Sequence, residues 1–87
     1  MARSDFDERF PTRASHVLKA LARNVRRLRI AKGWTQDELA AKAKIEQTAV
    51  SLIENGRANP TVETVETLAA CLEVAFIELF GSKGSKP

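Results

Sequence analysis

Apolar residues in the first half of the chain recur every three or four positions, which is the spacing of one buried helix face. The first such series begins after Ser15, a residue type that commonly caps a helix N-terminus, and predicts a helix that runs to about Ala31. Lys32-Gly33 should end it, because glycine readily takes the left-handed conformation of a helix C-terminus. The residues expected to be buried are Val17, Leu18, Leu21, Val25 and Leu28.

Two shorter helices follow, joined by a tight turn. Thr35, with Glu38 three residues later, has the spacing of a capping box and predicts the start of the second helix. Residues 43–45 make the turn, and the third helix is predicted from about Gln47 to Glu54, ended by Asn55-Gly56. The third-helix residues expected to point inwards are Ala49, Val50 and Ile53, and those left outside are Gln47, Thr48, Ser51 and Leu52.

The remainder of the chain predicts two further helices. Thr61 caps the fourth, whose apolar positions repeat at helical spacing. They are Val62, Val65, Leu68, Ala69 and Leu72. Residues 75–80 are long enough for a short fifth helix, whose apolar side chains would belong either to the core or to a two-fold interface. The pattern therefore predicts an all-α, compact five-helix domain over residues 15–80, with an arm at 1–14 and a flexible polar tail at 81–87.

The arm contains two phenylalanines, Phe6 and Phe10, at a spacing that would place both rings on one side of a helical turn. Pro11 would break any helix there. Two interpretations stay open. The segment is either a loose arm, or one that docks on the body of the domain or on a partner chain.

Charge is distributed unevenly along the 87 residues. Residues 19–44 carry eight basic and two acidic side chains, whereas residues 45–80 carry one basic and six acidic ones. Such a division gives one basic side that can meet a polyanion, although solvated helix faces could produce the same pattern. Likewise Arg23, Arg26 and Arg27 either line phosphates or are simply solvated.

Nothing in the sequence indicates catalysis, a metal or a cofactor. His16 is the single histidine and Cys71 the single cysteine, they lie far apart in sequence, and no glycine-rich phosphate loop is present. Cys71 lies in an apolar stretch and is expected to be a structural thiol. There is neither a secretory-type leader nor an apolar run of membrane-spanning length, so a cytoplasmic protein without membrane contact is expected.

One long run of residues carries a family resemblance. It reads Leu28-Arg29-x-x-Lys32-Gly33-Trp34-Thr35-Gln36-x-Glu38-Leu39-Ala40, then Ile45, Val50-Ser51-x-Ile53-Glu54-Asn55-Gly56, Asn59-Pro60-Thr61 and Leu79-Phe80. The run resembles the phage repressor and Cro type of helix-turn-helix domain, a large bacterial family often named after a xenobiotic response element. The resemblance implies a five-helix domain in which the second and third helices read DNA, with the recognition helix at about residues 46–55 in the major groove.

The resemblance also implies which side chains contact DNA. They are Gln36, Gln47, Thr48, Ser51, Leu52, Arg57 and Asn59. Gln36 would contact a phosphate and brace the recognition helix, and Gln47 would pair with adenine. Thr48 and Ser51 would reach bases or phosphates, and Leu52 would pack on a thymine methyl group. Arg57 and Asn59 would hold the sugar-phosphate backbone, which sets the register of the protein on DNA.

Four further positions qualify this assignment. Arg29 and Glu54 match family positions that form a structural ion pair between the first helix and the end of the third. Lys44 stands where the family usually has a glycine in the turn, so it is expected in a strained left-handed conformation. Glu46 replaces the usual Ser, Thr or Asp cap of the recognition helix, and its charge would repel phosphate unless it accepts a hydrogen bond from cytosine.

The sequence thus predicts a transcriptional regulator that binds double-stranded DNA, for example a prophage repressor, a restriction-modification controller or an antitoxin. Because so small a chain needs a second copy to reach useful affinity, we expect a homodimer on an inverted-repeat operator. The alternative is a protein-interaction adaptor that keeps the fold but binds a protein partner. Leu52, Glu46 and the acidic fourth helix support that alternative.

Overall fold

The computed structural model of the protein describes residues 15–81. Four α-helices follow one another: α1 (His16–Ala31), α2 (Gln36–Ala43), α3 (Gln47–Glu54) and α4 (Val62–Leu72). A 3₁₀ helix, Phe76–Phe80, completes the fold, and this part of the chain contains no strand. The predicted arm with Phe6 and Phe10, and the tail from residue 82, lie outside the described residues.

The all-helical architecture is confirmed, but the prediction of a fifth α-helix is wrong. The last element has only five residues, and its first turn is closed by a bond from the Glu78 amide to the Ala75 carbonyl (2.9 Å). That is the three-residue spacing of a 3₁₀ helix, which suits short segments that cannot complete several α-helical turns. The segment contributes one fully buried side chain, Leu79, to the core.

Three of the four α-helices begin with the side-chain caps that the sequence predicts. Ser15 accepts a hydrogen bond from the Leu18 amide, and Thr61 accepts one from the Thr64 amide. Thr35 and Glu38 form the complete capping box, each side chain accepting from the other's amide (3.0 and 2.8 Å). These bonds satisfy amides that a helix N-terminus otherwise leaves unpaired, so they fix where each helix starts.

All four α-helices end with one residue in the left-handed conformation. Glycine fills this position after α1 and α3, at Gly33 and Gly56, whereas Lys44 (φ 60°) follows α2 and Glu73 (φ 62°) follows α4. The left-handed conformation predicted for Lys44 is confirmed. The left-handed conformation of Glu73 was not predicted, because neither a glycine nor an asparagine marks the end of α4. Its carboxylate accepts a hydrogen bond from Lys32 of the loop after α1, which lowers the pKa of Glu73.

Twelve buried apolar residues from all five elements make up one core. They are Leu21, Val25, Leu39, Ala40, Ala43, Val50, Ile53, Val65, Leu68, Ala69, Leu72 and Leu79. Trp34 is half-buried against this core, in the loop between α1 and α2. Two residues predicted to be buried are not: Val17 is 56% exposed and Val62 is 64% exposed. Both lie in the first turn of their helices, at the end of the buried stripe.

Asn24 is a buried polar residue that the sequence analysis did not identify. Its Nδ2 donates to the carbonyl oxygens of Leu79 and Gly81 (2.9 Å each), and its Oδ1 accepts from Arg27 Nη2 (2.9 Å). Asn24 therefore holds the 3₁₀ helix against the middle of α1. The signal for it was its position on the buried face of α1, between Leu21 and Val25.

Candidate nucleic-acid interface

The pair α2–α3 forms a helix-turn-helix in which small residues permit close approach. Ala40 and Ala43 of α2 are buried beside Leu39, and the left-handed Lys44 turns the chain towards α3. The amide of Ile45 bonds back to the Ala40 carbonyl (3.0 Å) and closes the turn. The fixed geometry of α2 and α3 leaves one side of α3 free of the core.

The exposed side of α3 carries the residues expected to read DNA. Val50 and Ile53 are buried, whereas Gln47, Thr48 and Leu52 are exposed and Ser51 is half-buried. In an α-helix, residues at these relative positions share one broad face. The structure therefore brings the four predicted side chains of α3 together on a surface that no other described element covers.

A hydrogen-bonded series of side chains connects this surface to the core. Gln47 Nε2 donates to Gln36 Oε1 (2.8 Å), and Gln36 Nε2 donates to Glu54 Oε1 (3.0 Å). Glu54 also accepts from Arg29 Nε (2.6 Å) and from Arg29 Nη2 (3.0 Å). The buried Arg29–Glu54 pair thus holds Gln36, and Gln36 in turn sets the orientation of the exposed Gln47 amide.

The bonds made by Gln47 determine what its amide can still recognise. One N–H of Nε2 is used by Gln36, which leaves the second N–H and the Oε1 acceptor for other partners. One donor and one acceptor side by side match N7 and the N6 amino group of adenine in the major groove. A Gln47 held in this way has fewer orientations to lose on binding than a free glutamine.

The Arg29–Glu54 pair is almost entirely removed from solvent. The Arg29 side chain is 10% exposed and the Glu54 side chain is 1% exposed. Arg29 Nη1 also donates to the Trp34 carbonyl (2.7 Å), so the guanidinium holds the end of α3, the loop before α2 and α1 itself in one arrangement. The hydrogen bonds that Arg29 donates to Glu54 raise the pKa of Arg29 above its ordinary value, although burial opposes this shift.

The loop after α3 presents the two remaining predicted residues. The Arg57 amide donates to the Leu52 carbonyl (2.9 Å) and Gly56 adopts φ 71°, so the first residues of the loop are tied to the last turn of α3. Arg57 and Asn59 are both exposed. Asn59 and Leu52 line the same open groove of about 290 Å³, between α3, the loop and α4. No described contact joins the side chain of Arg57 to those of α3.

Glu46 and Trp34 stand at the edges of this surface. Glu46 occupies the N-cap position of α3 but its exposed side chain makes no capping hydrogen bond. Its negative charge therefore lies at the helix end that otherwise attracts phosphate. Trp34 lies beneath the amino group of Lys42 of α2, which is 4.7 Å from a ring centroid. The tryptophan thus covers the core and holds a basic side chain over its outer face.

Residues 15–81 hold no group of three or more His, Cys, Asp or Glu side chains able to bind a metal ion. No helix among them is both long and apolar enough to cross a membrane. His16 is exposed and Cys71 is half-buried beside the core. The direct Gln36–Gln47 bond and the Trp34 carbonyl that receives Arg29 were missed by sequence reasoning, because both depend on how α2 packs against its neighbours and leave no spacing pattern.

Comparison with protein families assigns most of the chain to one model. A family model described as helix-turn-helix matches residues 25–79. A hypothetical transcription factor of Neisseria meningitidis serogroup B is 42% identical over 59 residues, which make up 68% of this chain. The matched region spans only 56% of that protein's length. The uncharacterized HTH-type transcriptional regulator y4dJ of Sinorhizobium fredii is 44% identical over 61 residues, 70% of this chain and 79% of that protein.

Solved structures show the same arrangement of helices. The crystal structure of the hypothetical transcription factor NHTF from Neisseria superposes with a TM-score of 0.72 at 39% identity, covering 74% of each chain. The restriction-modification controller protein C.Esp1396I, crystallised as a tetramer in complex with its natural 35 base-pair operator, gives a TM-score of 0.69 at 32% identity. That match covers 76% of this chain and 87% of the controller.

Proposed function

Because the chain belongs to the helix-turn-helix family of DNA-binding transcriptional regulators, we propose that it recognises a specific double-stranded operator as a homodimer. Regulators of this family are not enzymes. The observation that carries the proposal is the Gln47 amide, exposed on α3 and held by Gln36 with one donor and one acceptor free. In this account α3 lies in the major groove and Gln47 reads an adenine.

The remaining contacts have different consequences for specificity. Thr48, Ser51 and Leu52 share the exposed face of α3 and supply hydroxyl groups and an apolar surface to neighbouring bases. Gln36 Nε2 uses one N–H to bond Glu54 and contributes its second N–H to a phosphate near the start of α2. Arg57 and Asn59 hold the backbone beyond the end of α3. Base identity is thus read by α3, and the register of the protein on DNA is set by Arg57 and Asn59.

The small size of the domain and its exposed apolar surface support a homodimer. A single eight-residue recognition helix covers few base pairs, and two copies related by a two-fold axis would place their α3 helices in successive major grooves, about 34 Å apart. The 3₁₀ helix offers Ile77, which is 74% exposed, as an apolar contact for a second copy. The tetrameric, operator-bound C.Esp1396I supports assembly in a protein of the same fold.

The test combines a protein change with a change in the DNA. Gln47→Ala should weaken binding to the preferred duplex by about 1–3 kcal/mol. Replacing the contacted adenine by 7-deazaadenine removes the N7 acceptor and should weaken the unmodified protein, with little further effect on Gln47→Ala. Arg57→Ala is the matched comparison, because it should weaken all duplexes alike and reduce the salt slope by about one. Unchanged affinity of Gln47→Ala would refute the assignment of the reading face.

Leu52 favours a second candidate function, a protein-interaction adaptor. It is an exposed leucine on the outer face of α3, and it lines an open groove with Ala49, Ile53 and Pro60. Binding of random duplex at low salt, and its loss as salt rises, distinguishes the two functions, since a protein-binding surface lacks the steep salt dependence of phosphate contacts. Absence of duplex binding at low salt would favour the adaptor.

A further inference from the structure

A second apolar surface lies at the junction of α1, α4 and the 3₁₀ helix. It is a groove of about 160 Å³ whose floor includes the buried side chains of Leu21 and Val65. Its rim includes Val17, Val62 and Phe76, three of the large apolar side chains that residues 15–81 leave exposed. Of the residues that line it, only Asn59 is also one of the proposed DNA contacts. We call this site the α1–α4 groove.

The size and lining of the α1–α4 groove suit one aromatic ring. An apolar cavity of roughly 150 Å³ is large enough to bind benzene. Exposed apolar side chains gathered around a concave surface are typical of binding sites, whereas isolated ones are ordinary on protein surfaces. Val17 and Val62, both predicted to be buried from their helical spacing, would be buried if a ring lay between them.

The sequence places two aromatic residues within reach of this groove. Val17, on the rim, is the second residue of α1, so the preceding residues join the domain at the groove. Phe10 and Phe6 precede Val17 by seven and eleven residues, and an extended chain spans at most about 3.3–3.6 Å per residue. Both rings are therefore within reach, at an effective concentration on the order of millimolar for so short a connection.

We propose that the segment containing Phe6 and Phe10 packs intramolecularly on the α1–α4 groove. One ring fills the groove, and the other covers the exposed side chains of Val17 and Val62. Their four-residue spacing allows both rings to face the same side. The segment acts as an apolar cover for the end of the domain formed by the first turns of α1 and α4.

The experiment compares methyl spectra of the whole chain with those of a Phe6→Ala/Phe10→Ala variant. In the unmodified chain, ring currents should displace the methyl resonances of Val17, Val62 and Val65. The part of the displacements that Phe6 and Phe10 cause should disappear in the double variant, and only the part caused by Phe76 and Phe80, which also line the groove, should remain. The methyl groups of Val50 and Ile53, which do not line the groove, should keep their positions and report an intact fold. A Phe6→Leu/Phe10→Leu variant retains apolar bulk without these two rings, so it should lose the same part of the displacements but keep Val17 and Val62 protected from a soluble paramagnetic agent.

Two results would overturn the proposal. Identical groove resonances in the unmodified chain and the alanine variant would show that the rings do not lie in the groove. Displacements that weaken on about a hundredfold dilution, or that appear when a labelled variant lacking residues 1–14 is mixed with unlabelled full chain, would show that the segment docks on a second copy. Displacements independent of concentration and absent from the mixture would establish the intramolecular contact. None of these measurements requires DNA, so their outcome does not depend on the proposed function.

Discussion

Removal of Glu54 tests how the core and the DNA-reading surface are connected. Glu54→Ala deletes the acceptor of three hydrogen bonds, two from Arg29 and one from Gln36. The guanidinium of Arg29, with its side chain 10% exposed, then retains only the Trp34 carbonyl as a described partner. The free energy of unfolding should fall, and the side chain of Gln36 should lose one of the bonds that fix its orientation.

The magnitude follows from burial. An exposed ion pair contributes about 0–1 kcal/mol, whereas deleting one partner of a buried pair costs about 3–5 kcal/mol. Because Arg29 keeps its bond to Trp34 and some contact with water, we expect the lower part of that range, about 3–4 kcal/mol. A domain of residues 15–80 has a total stability of roughly 3–10 kcal/mol, so the variant should stay only marginally folded.

Urea unfolding followed by fluorescence measures this loss, since Trp34 is the single tryptophan and lies against the core. With a slope of about 1–3 kcal/mol per molar, the midpoint should fall by roughly 1–4 M. Glu54→Gln, which keeps an oxygen acceptor, should lose less. Arg29→Met/Glu54→Leu removes both charges and should recover most of the stability. A loss below about 1 kcal/mol for Glu54→Ala, or a double variant no more stable than Glu54→Ala, would refute the reasoning.

Three other changes test separate parts of the account. Lys44→Gly should raise the melting temperature by about 4–8 °C, because it relieves about 1 kcal/mol of left-handed strain. The control Ala41→Gly, inside α2, should lower the melting temperature. A lower melting temperature for Lys44→Gly would show that Lys44 is not strained. Glu46→Ser should stabilise the domain by about 0.5–2 kcal/mol through a new cap, measured by thermal melting. It should also tighten duplex binding, measured by titration, because a negative charge is removed. Weaker binding would indicate that Glu46 contacts cytosine. Ile77→Asp should shift sedimentation towards monomer and weaken operator binding without unfolding the chain, and an unchanged dimer would exclude this surface.

The helices and their starts could be predicted from the sequence because they depend on local chemistry. The caps at Ser15, Thr35 and Thr61 each act within three residues of their own helix, and the bounds of α3 follow from apolar spacing between two turn signals. The last element was predicted less well. Residues 76–80 are too few for the spacing of apolar residues to distinguish an α-helix from a 3₁₀ helix.

The positions of the candidate site could be predicted from the sequence, but the hydrogen bonds that connect them could not. Helical spacing and the family resemblance together placed Gln47, Thr48 and Leu52 on the outer face of α3, and the structure has them exposed. The resemblance implied that Gln36 braces the recognition helix, but its particular bonds to Gln47 and Glu54 could not be inferred, because they join side chains that are 11 and 18 residues apart. Exposure of Val17 and Val62 was also hidden, since a periodic pattern does not show where the neighbouring helix ends.

Selection from a random duplex library at about physiological salt tests the central claim most directly, because specific binding is measured there against its non-specific competitor. We expect enrichment of an inverted repeat whose half-sites are centred about one helical turn apart, with an adenine at the position where Gln47→Ala relaxes the selection. A folded protein that enriches no sequence would contradict the account and direct the search to a protein partner for the outer face of α3.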